Sequence, residues 1–297
     1  MSKPFFSGVC TALVTPFLHD QINYPMLQQL IRRQIENGIH AIVVCGTTGE
    51  SATLSDREKI ELISRSVEYA AGKCLIIAGT GSNNTQHAIH LSTAAQEAGA
   101  DGLLLVSPYY NKATSDGLFS HFHSIAESVH IPCILYNVPS RTGIDIPVEV
   151  YSKLSMVKNI VGVKEASTDI VKIARIREIC PTSFSIWSGN DDMTVPIVSL
   201  GGQGVISVLS NMIPLETELM VSAALDGDFD TAAAFQIALL PLIRALFHEV
   251  NPIPVKEAMK LIGFNCGECR MPLTAATEQT RNNIFTALKN RIQIDVD

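Results

Sequence analysis

Short, wholly apolar runs recur along this chain, and the segments between them return an apolar residue every three or four positions. The runs are Val9–Val14, Ala41–Cys45, Leu75–Ala78, Leu103–Val106, Cys133–Tyr136, Ile160–Val163, Phe184–Trp187 and Gly204–Val208. Their length suits strands buried on both faces, and their spacing is too long for hairpins and about right for βα units. Leu27, Leu30, Ile31 and Ile35 form one helical stripe, closed by Gly38, and Ile170, Ile173, Ala174 and Ile176 form another. Ser55-Asp-Arg-Glu58 has the form of a capping box ahead of Ile60, Ile63 and Val67. Pro147 and Pro214 stand where first-turn prolines are tolerated.

Strands alternating with helices eight times over predict an α/β protein of the closed (β/α)8 TIM-barrel type. A doubly wound open sheet is the alternative. It usually has fewer strands and often a GxGxxG turn after the first one, which this chain lacks. Beyond about residue 224 no strand-like run remains, and Phe229–Glu249, Val255–Ile262 and Thr277–Lys289 read as helices. The expected division is a catalytic barrel over 1–224 and a small all-helical C-terminal domain over 225–297.

The composition narrows the class. Of the 297 residues 46% are hydrophobic and 17% charged, the balance of a packed globular chain. The formal charge of −7, with no basic cluster against it, argues against nucleic acid or an anionic membrane as partner. A small anionic substrate needs only local cations in a cleft. No apolar run has the length expected of a bilayer span, and the N-terminal MSKPFFSGVC lacks the apolar stretch of a signal peptide, so a cytoplasmic location is expected. Seven cysteines, several within apolar runs, suggest buried reduced thiols. The one CxxC, Cys266 to Cys269, has no second ligand pair nearby and reads as a solvated loop. His87, His121, His123 and His248 show no metal-ligand spacing and read as surface residues.

In such a barrel the active site is built from residues just past the C-terminal ends of the strands. The second run leads into Gly46-Thr47-Thr48-Gly49-Glu50, whose glycines let backbone N–H groups and the Thr47 and Thr48 hydroxyls approach a carboxylate. Taken alone it would be a capped turn. The fifth run ends at Tyr136, with Arg141 shortly after: a proton relay and a carboxylate clamp, or a rim tyrosine and a solvated arginine. The sixth ends at Lys164. Period-two alternation puts Ile160, Gly162 and Lys164 on one face, and if that face is the interior the amine sits over an apolar core, which favours a neutral nucleophile. A lysine snorkelling from the strand end is the plainer reading. Tyr109 and Tyr110 follow the fourth run and fit rim packing or an interface as well as catalysis. Nucleophilic amine, proton relay and carboxylate pocket on three strand ends are together what imine chemistry requires, and the conjunction favours function.

The motifs GTTGES (46–51), PYYN (108–111), YNVPSRTG (136–143), GVKEA (162–166), SGND (188–191), GVISV (204–208) and NPIPVK (251–256) occur in this order. Together they closely resemble the dihydrodipicolinate synthase family over nearly the whole chain. GTTGE and the lysine are shared by the wider pyruvate-dependent lyases, whereas YNVPSRTG is more diagnostic. The resemblance implies condensation of pyruvate with L-aspartate 4-semialdehyde through a Schiff base on Lys164. Tyr136 would shuttle protons with Thr47 and with Tyr110, which in the family reaches into a neighbouring subunit. Thr47 and Thr48 would hold the pyruvate carboxylate and Arg141 that of the semialdehyde, and the Ile206 carbonyl would contact substrate. No metal or organic cofactor is implied, and the assembly would be a homotetramer, a dimer of dimers.

Many members of that family bind lysine at the tight-dimer interface, in a pocket that Ser51, Ala52, Leu54, Asn83 and Tyr109 match. Asp56 and Lys59 stand where the lysine-sensitive pattern has histidines, and His87 where it has glutamate, so the resemblance implies a weakened site. Related readings are an N-acetylneuraminate lyase or a 2-keto-3-deoxy sugar acid aldolase, which generally lack the full NVPSRTG run. A non-catalytic keto-acid-binding barrel would not need every chemical group retained. A nucleotide-dependent oxidoreductase would need a dinucleotide fingerprint.

Overall fold

The computed structural model describes residues 3–292. Eight parallel strands close into a barrel: β1 (Gly8–Ala12), β4 (Ala41–Val44), β5 (Leu75–Gly79), β6 (Gly102–Val106), β7 (Cys133–Asn137), β8 (Ile160–Glu165), β9 (Ser185–Ser188) and β10 (Gly204–Ser207). β1 pairs with both β4 and β10, which completes the ring. The apolar runs foretold each strand to within two residues. A hairpin they did not foretell, β2 (Phe17–Leu18) with β3 (Gln21–Ile22), turns at His19 and Asp20, both at positive φ and without the usual Asn-Gly signal.

Alternation along each strand divides the core into two layers. Cys10, Val43, Ile77, Leu104, Ile134, Tyr136, Trp187 and Ile206 fill the barrel, and the intervening residues pack against the helices. Phe6 stacks on Trp187 at 4.6 Å and plugs the N-terminal end. The helices are α1 (Tyr24–Glu36), α2 (Asp56–Ala70), α3 (Thr85–Glu97), α4 (Ser115–Glu127), a single turn α5 (Pro139–Thr142), α6 (Val148–Leu154), α7 (Ile170–Ile179), α8 (Thr194–Ser199) and α9 (Pro214–Leu225). The capping box at Ser55 forms as its spacing foretold, with Ser55 N–H donating to Glu58 at 2.9 Å. Three further helices follow: α10 (Phe229–Leu246), α11 (Ile253–Leu261) and α12 (Glu278–Ile292).

Several sequence expectations fail, each for a physical reason. β7 and β8 shift register: Cys133 pairs with Ile160 and Ile134 with Gly162, so Val161 is an extra residue. Gly162 and Lys164 therefore face the interior as expected, but Ile160 packs on the helix side. On α7 only Ile173 and Ile176 of the foretold stripe are buried, and the long side chain of Lys172 is buried beside them because it has carboxylate partners. Pro147 caps α6 rather than entering its first turn. Cys266 is fully buried, so its loop is not solvated there. His121 is also buried, its Nδ1 within 2.9 Å of the Thr85 hydroxyl, and burial pushes its pKa down to about 4. The expectation of no spanning-length segment is corrected by α10, 18 residues long and apolar enough on average to cross a membrane. Here its Ala232, Leu239, Leu242, Ile243 and Leu246 are buried, and it packs against α8, α9 and α12.

Arg270, after α11, ties the C-terminal segment to the barrel rim. It donates to Glu58 Oε1 at 2.6 Å and Oε2 at 3.1 Å, and to the Asp20 carbonyl at 2.6 Å. Its hydrogen bonds draw the Glu58 carboxyl from an ordinary 4.5 down to about 2. Because the folded value is depressed, this stabilisation is complete above pH 4.5 and is lost as pH falls toward 2. Glu58→Gln should cost about 1–2 kcal/mol at neutral pH. The Tm gap between it and the wild-type protein should narrow as the medium is acidified through that window. A gap independent of pH would contradict the assignment.

Candidate active site

The side chains expected to react lie where the strands open. Tyr136 and Lys164 are direct register partners near the ends of β7 and β8. Both point inward, 6% and 5% exposed, and Lys164 Nζ stands 4.3 Å from the centre of the Tyr136 ring. Gly162, two residues below Lys164, is required by crowding. A Cβ there would lie 2.2 Å from the Ser185 carbonyl oxygen and 2.8 Å from the Trp187 ring. Ile206 is fully buried on β10 in register with Cys10, and Asp191 holds the backbone just beyond it by accepting from the Val208 and Leu209 N–H groups at 3.0 Å. Burial raises the Asp191 carboxyl above its ordinary value against these hydrogen bonds.

Above this floor opens a cleft of about 580 Å³, with Thr47, Val138, Arg141 and Asn251 on its wall. Lys164 and Tyr136 are not among the residues that line it. Thr48 is buried, and its hydroxyl accepts a 3.0 Å hydrogen bond from Asn251 Nδ2. Arg141 is exposed and donates at 3.3 Å to the Asn251 carbonyl. Tyr110 is 91% exposed at φ 73° and does not line the cleft of its own chain, unlike its neighbour Tyr109.

The same cleft gathers Ser51, Ala52, Leu54, Asp56, Lys59, His87 and Tyr109. Asn83 stands outside it and donates to the Tyr109 carbonyl at 3.2 Å. Asp56 lies 2.9 Å from His87 Nε2 and 3.7 Å from Lys59 Nζ. Burial raises the Asp56 carboxyl, but the His87 hydrogen bond and the nearby cations outweigh it and hold it below its ordinary value.

The sequence of this chain matches the profile of the Dihydrodipicolinate synthetase family over residues 5–291. The chain belongs to the dihydrodipicolinate synthetase family. It is 48% identical over 290 residues to a 4-hydroxy-tetrahydrodipicolinate synthase of Acetivibrio thermocellus, covering 98% of this chain and 99% of that one. Among solved structures, a dihydrodipicolinate synthase from Cyanidioschyzon merolae with lysine bound superposes with a TM-score of 0.94 at 42% identity, covering 97% of this chain and 98% of that one. A monomeric dihydrodipicolinate synthase variant superposes with a TM-score of 0.93 at 41% identity, covering 96% of each.

Sequence reasoning missed how this family member holds the Thr47–Thr48 loop. Glu50, at φ 56°, and Lys256 on α11 are both buried and meet at 2.7 Å. The other Glu50 oxygen accepts the Arg270 N–H at 2.8 Å, and Lys256 also donates to the Glu268 carbonyl at 3.1 Å. Glu50 and Lys256 lie 206 residues apart, and no local pattern announces such a pair. Breaking it from one side strands a buried charge, which costs about 3–5 kcal/mol. Lys256→Met should lower the denaturant midpoint accordingly, and adding Glu50→Gln should recover part of the loss. A single-variant loss below about 1 kcal/mol would show that the pair does not anchor the loop.

Proposed function

We propose that this chain condenses pyruvate with L-aspartate 4-semialdehyde to 4-hydroxy-tetrahydrodipicolinate, a step toward diaminopimelate and lysine. The observation that carries the chemistry is Lys164, a buried lysine at a barrel strand end, held over the Tyr136 ring. The membership just described supports the substrates, since a relative sharing almost half its residues over nearly the whole chain bears that activity's name.

Lys164 Nζ attacks the keto carbon of pyruvate, and loss of water leaves an imine. Removal of a methyl proton gives the enamine, whose terminal carbon adds to the aldehyde of the semialdehyde. The semialdehyde's own amine then displaces Lys164 from the imine carbon, closing the ring and freeing the enzyme. Tyr136, beside the amine, moves the protons in these steps. Thr47, which lines the cleft, holds the pyruvate carboxylate together with Thr48. Arg141 at the mouth receives the carboxylate of the semialdehyde, and we assign the Ile206 carbonyl as a substrate contact. Tyr110 is 91% exposed and does not line its own cleft, which suits a side chain completing a partner's relay, and we assign the working assembly as a homotetramer of tight dimers. We place the protein in the cytoplasm.

Borohydride reduction with pyruvate should fix an adduct on Lys164 alone, and Lys164→Ala should lose both adduct and turnover. Lys256, engaged by Glu50, should stay unmodified, and an adduct there would overturn the mechanism. Arg141→Ala should still form the pyruvate adduct while losing at least ~10-fold in semialdehyde affinity, the worth of a charge-assisted contact. Unchanged semialdehyde kinetics would sink that role.

The chain is also insensitive to L-lysine. Of the two carboxylates lining the cleft, Asp56 is already engaged by His87 and Lys59 and Glu50 by Lys256 and the Arg270 N–H, and a bound lysine would bring its ammonium against the Lys59 cation. Losing or opposing two charged contacts costs a few kcal/mol, about two decades in affinity. Lysine titrated into the millimolar range should leave the steady-state rate unchanged and give no saturable heat. Saturable inhibition below millimolar would refute the reading.

A further inference from the structure

On the helix-facing side of β7 and β8 lies a polar cluster that the chemistry above does not use. Asn137 follows Tyr136, Glu165 follows Lys164, and the two are register partners just as the reactive pair is. Alternation sends one pair into the barrel and the next outward. Asn137 is fully buried and Glu165 is 2% exposed. Asn137 Nδ2 donates to Glu165 Oε1 at 2.8 Å and to Asp145 Oδ1 at 2.7 Å, while its Oδ1 accepts the Ile146 N–H at 3.1 Å. Glu165 further accepts from the Ser167 N–H at 2.9 Å and from the Tyr151 hydroxyl at 3.0 Å. Lys172 closes the cluster, bonded to Asp145 and 3.6 Å from Glu165.

This arrangement matters because the two strands have already slipped once. Val161 is an extra residue at the start of β8, and a further slip of one would turn Lys164 out toward the helices and Glu165 into the barrel. A slip would also tear the Glu165 carboxylate from its donors, which a buried charge does not tolerate. A fully satisfied buried network of this kind specifies one arrangement of the strands that carry it.

We propose that Asn137 and Glu165 are positioning residues, whose side-chain bond on the outer face pins β7 against β8 so that Lys164 is held over Tyr136 on the inner face. The proposal rests on the assignment of Lys164 as nucleophile and Tyr136 as proton shuttle. Forming the imine needs only an amine that can reach the carbonyl. The proton transfers need Tyr136 at a fixed place beside it. Loosening the brace therefore weighs on kcat more than on pyruvate binding, and a misplacement of about 1 Å is worth on the order of 100-fold.

The test uses the full-length protein with Asn137→Ala, Asn137→Ser, Glu165→Ala and Glu165→Gln. Labelled pyruvate and borohydride count the competent sites in each preparation, and kcat is expressed per trapped site so that loss of folded protein does not enter. All folded variants should retain the Lys164 adduct. Asn137→Ala and Glu165→Ala should lose ~10- to 100-fold in kcat per site, with pyruvate KM changed less than ~3-fold and an enlarged solvent deuterium isotope effect on kcat. Glu165→Gln keeps a carbonyl for Asn137 and should recover most of the loss seen with alanine. Asn137→Ser leaves a smaller hole yet cannot span to Glu165, so it must show the same loss if the alanine forms do not fold. A kcat per trapped site within about twofold of wild type in any folded variant lacking the bond overturns the brace, leaving the cluster a stabilising role alone. Absence of a Lys164 adduct in the wild-type protein would instead overturn the mechanism on which the brace rests.

Discussion

In a closed parallel sheet every strand is hydrogen-bonded on both sides, so no strand can shift or rotate without breaking pairing with a neighbour. Here β1 pairs with β4 on one side and β10 on the other, and that closure limits how far any strand in the ring can slip. The interior is a packed core, filled by side chains such as Ile77, Leu104, Ile134 and Trp187. The polar groups of the candidate site stand at the C-terminal ends of the strands. Tyr136, Lys164 and Ile206 owe their convergence to this constraint, and the β7–β8 register is the part of it on which the proposed chemistry turns.

Two buried lysines show how environment divides a shared side chain between roles. Lys164 and Lys256 are 5% and 3% exposed, and each side-chain nitrogen stands over an aromatic ring, at 4.3 Å from Tyr136 and 4.4 Å from Phe17. Lys256 also has the Glu50 carboxylate at 2.7 Å and a carbonyl at 3.1 Å. Those contacts compensate its burial and commit it to structure. Among the described residues no carboxylate lies within ion-pair distance of Lys164, so of these two buried lysines the proposed nucleophile is the one left uncommitted.

The helices after the barrel act on the site from above. Asn251, between α10 and α11, bonds Thr48 through its side chain and Arg141 through its carbonyl, which joins the two expected carboxylate-binding groups through one residue. Lys256 and Arg270 hold Glu50 from the same side. Shape and charge at the cleft mouth are thus set by contacts between segments some 200 residues apart.

The sequence alone was enough to foretell the eight strands, the capping box at Ser55, the three last helices and the strand ends that carry Thr47, Tyr136 and Lys164. These are local properties: a buried strand needs an unbroken apolar run, a helix needs its 3.6-residue period, and a barrel puts chemistry where strands stop. The ordered motifs added the family, which no periodicity reveals. Tertiary structure decided the rest. The extra residue Val161 turned Ile160 to the helix side, because a bulge belongs to the pairing of two strands and leaves no mark on either one. Burial of Cys266, His121 and Lys172, each of a type or setting that reads as exposed, followed from neighbours contributed by distant segments. The pairing of Glu50 with Lys256 and of Asn137 with Glu165 arose the same way, since the partner that makes a buried charge tolerable can come from anywhere in the chain.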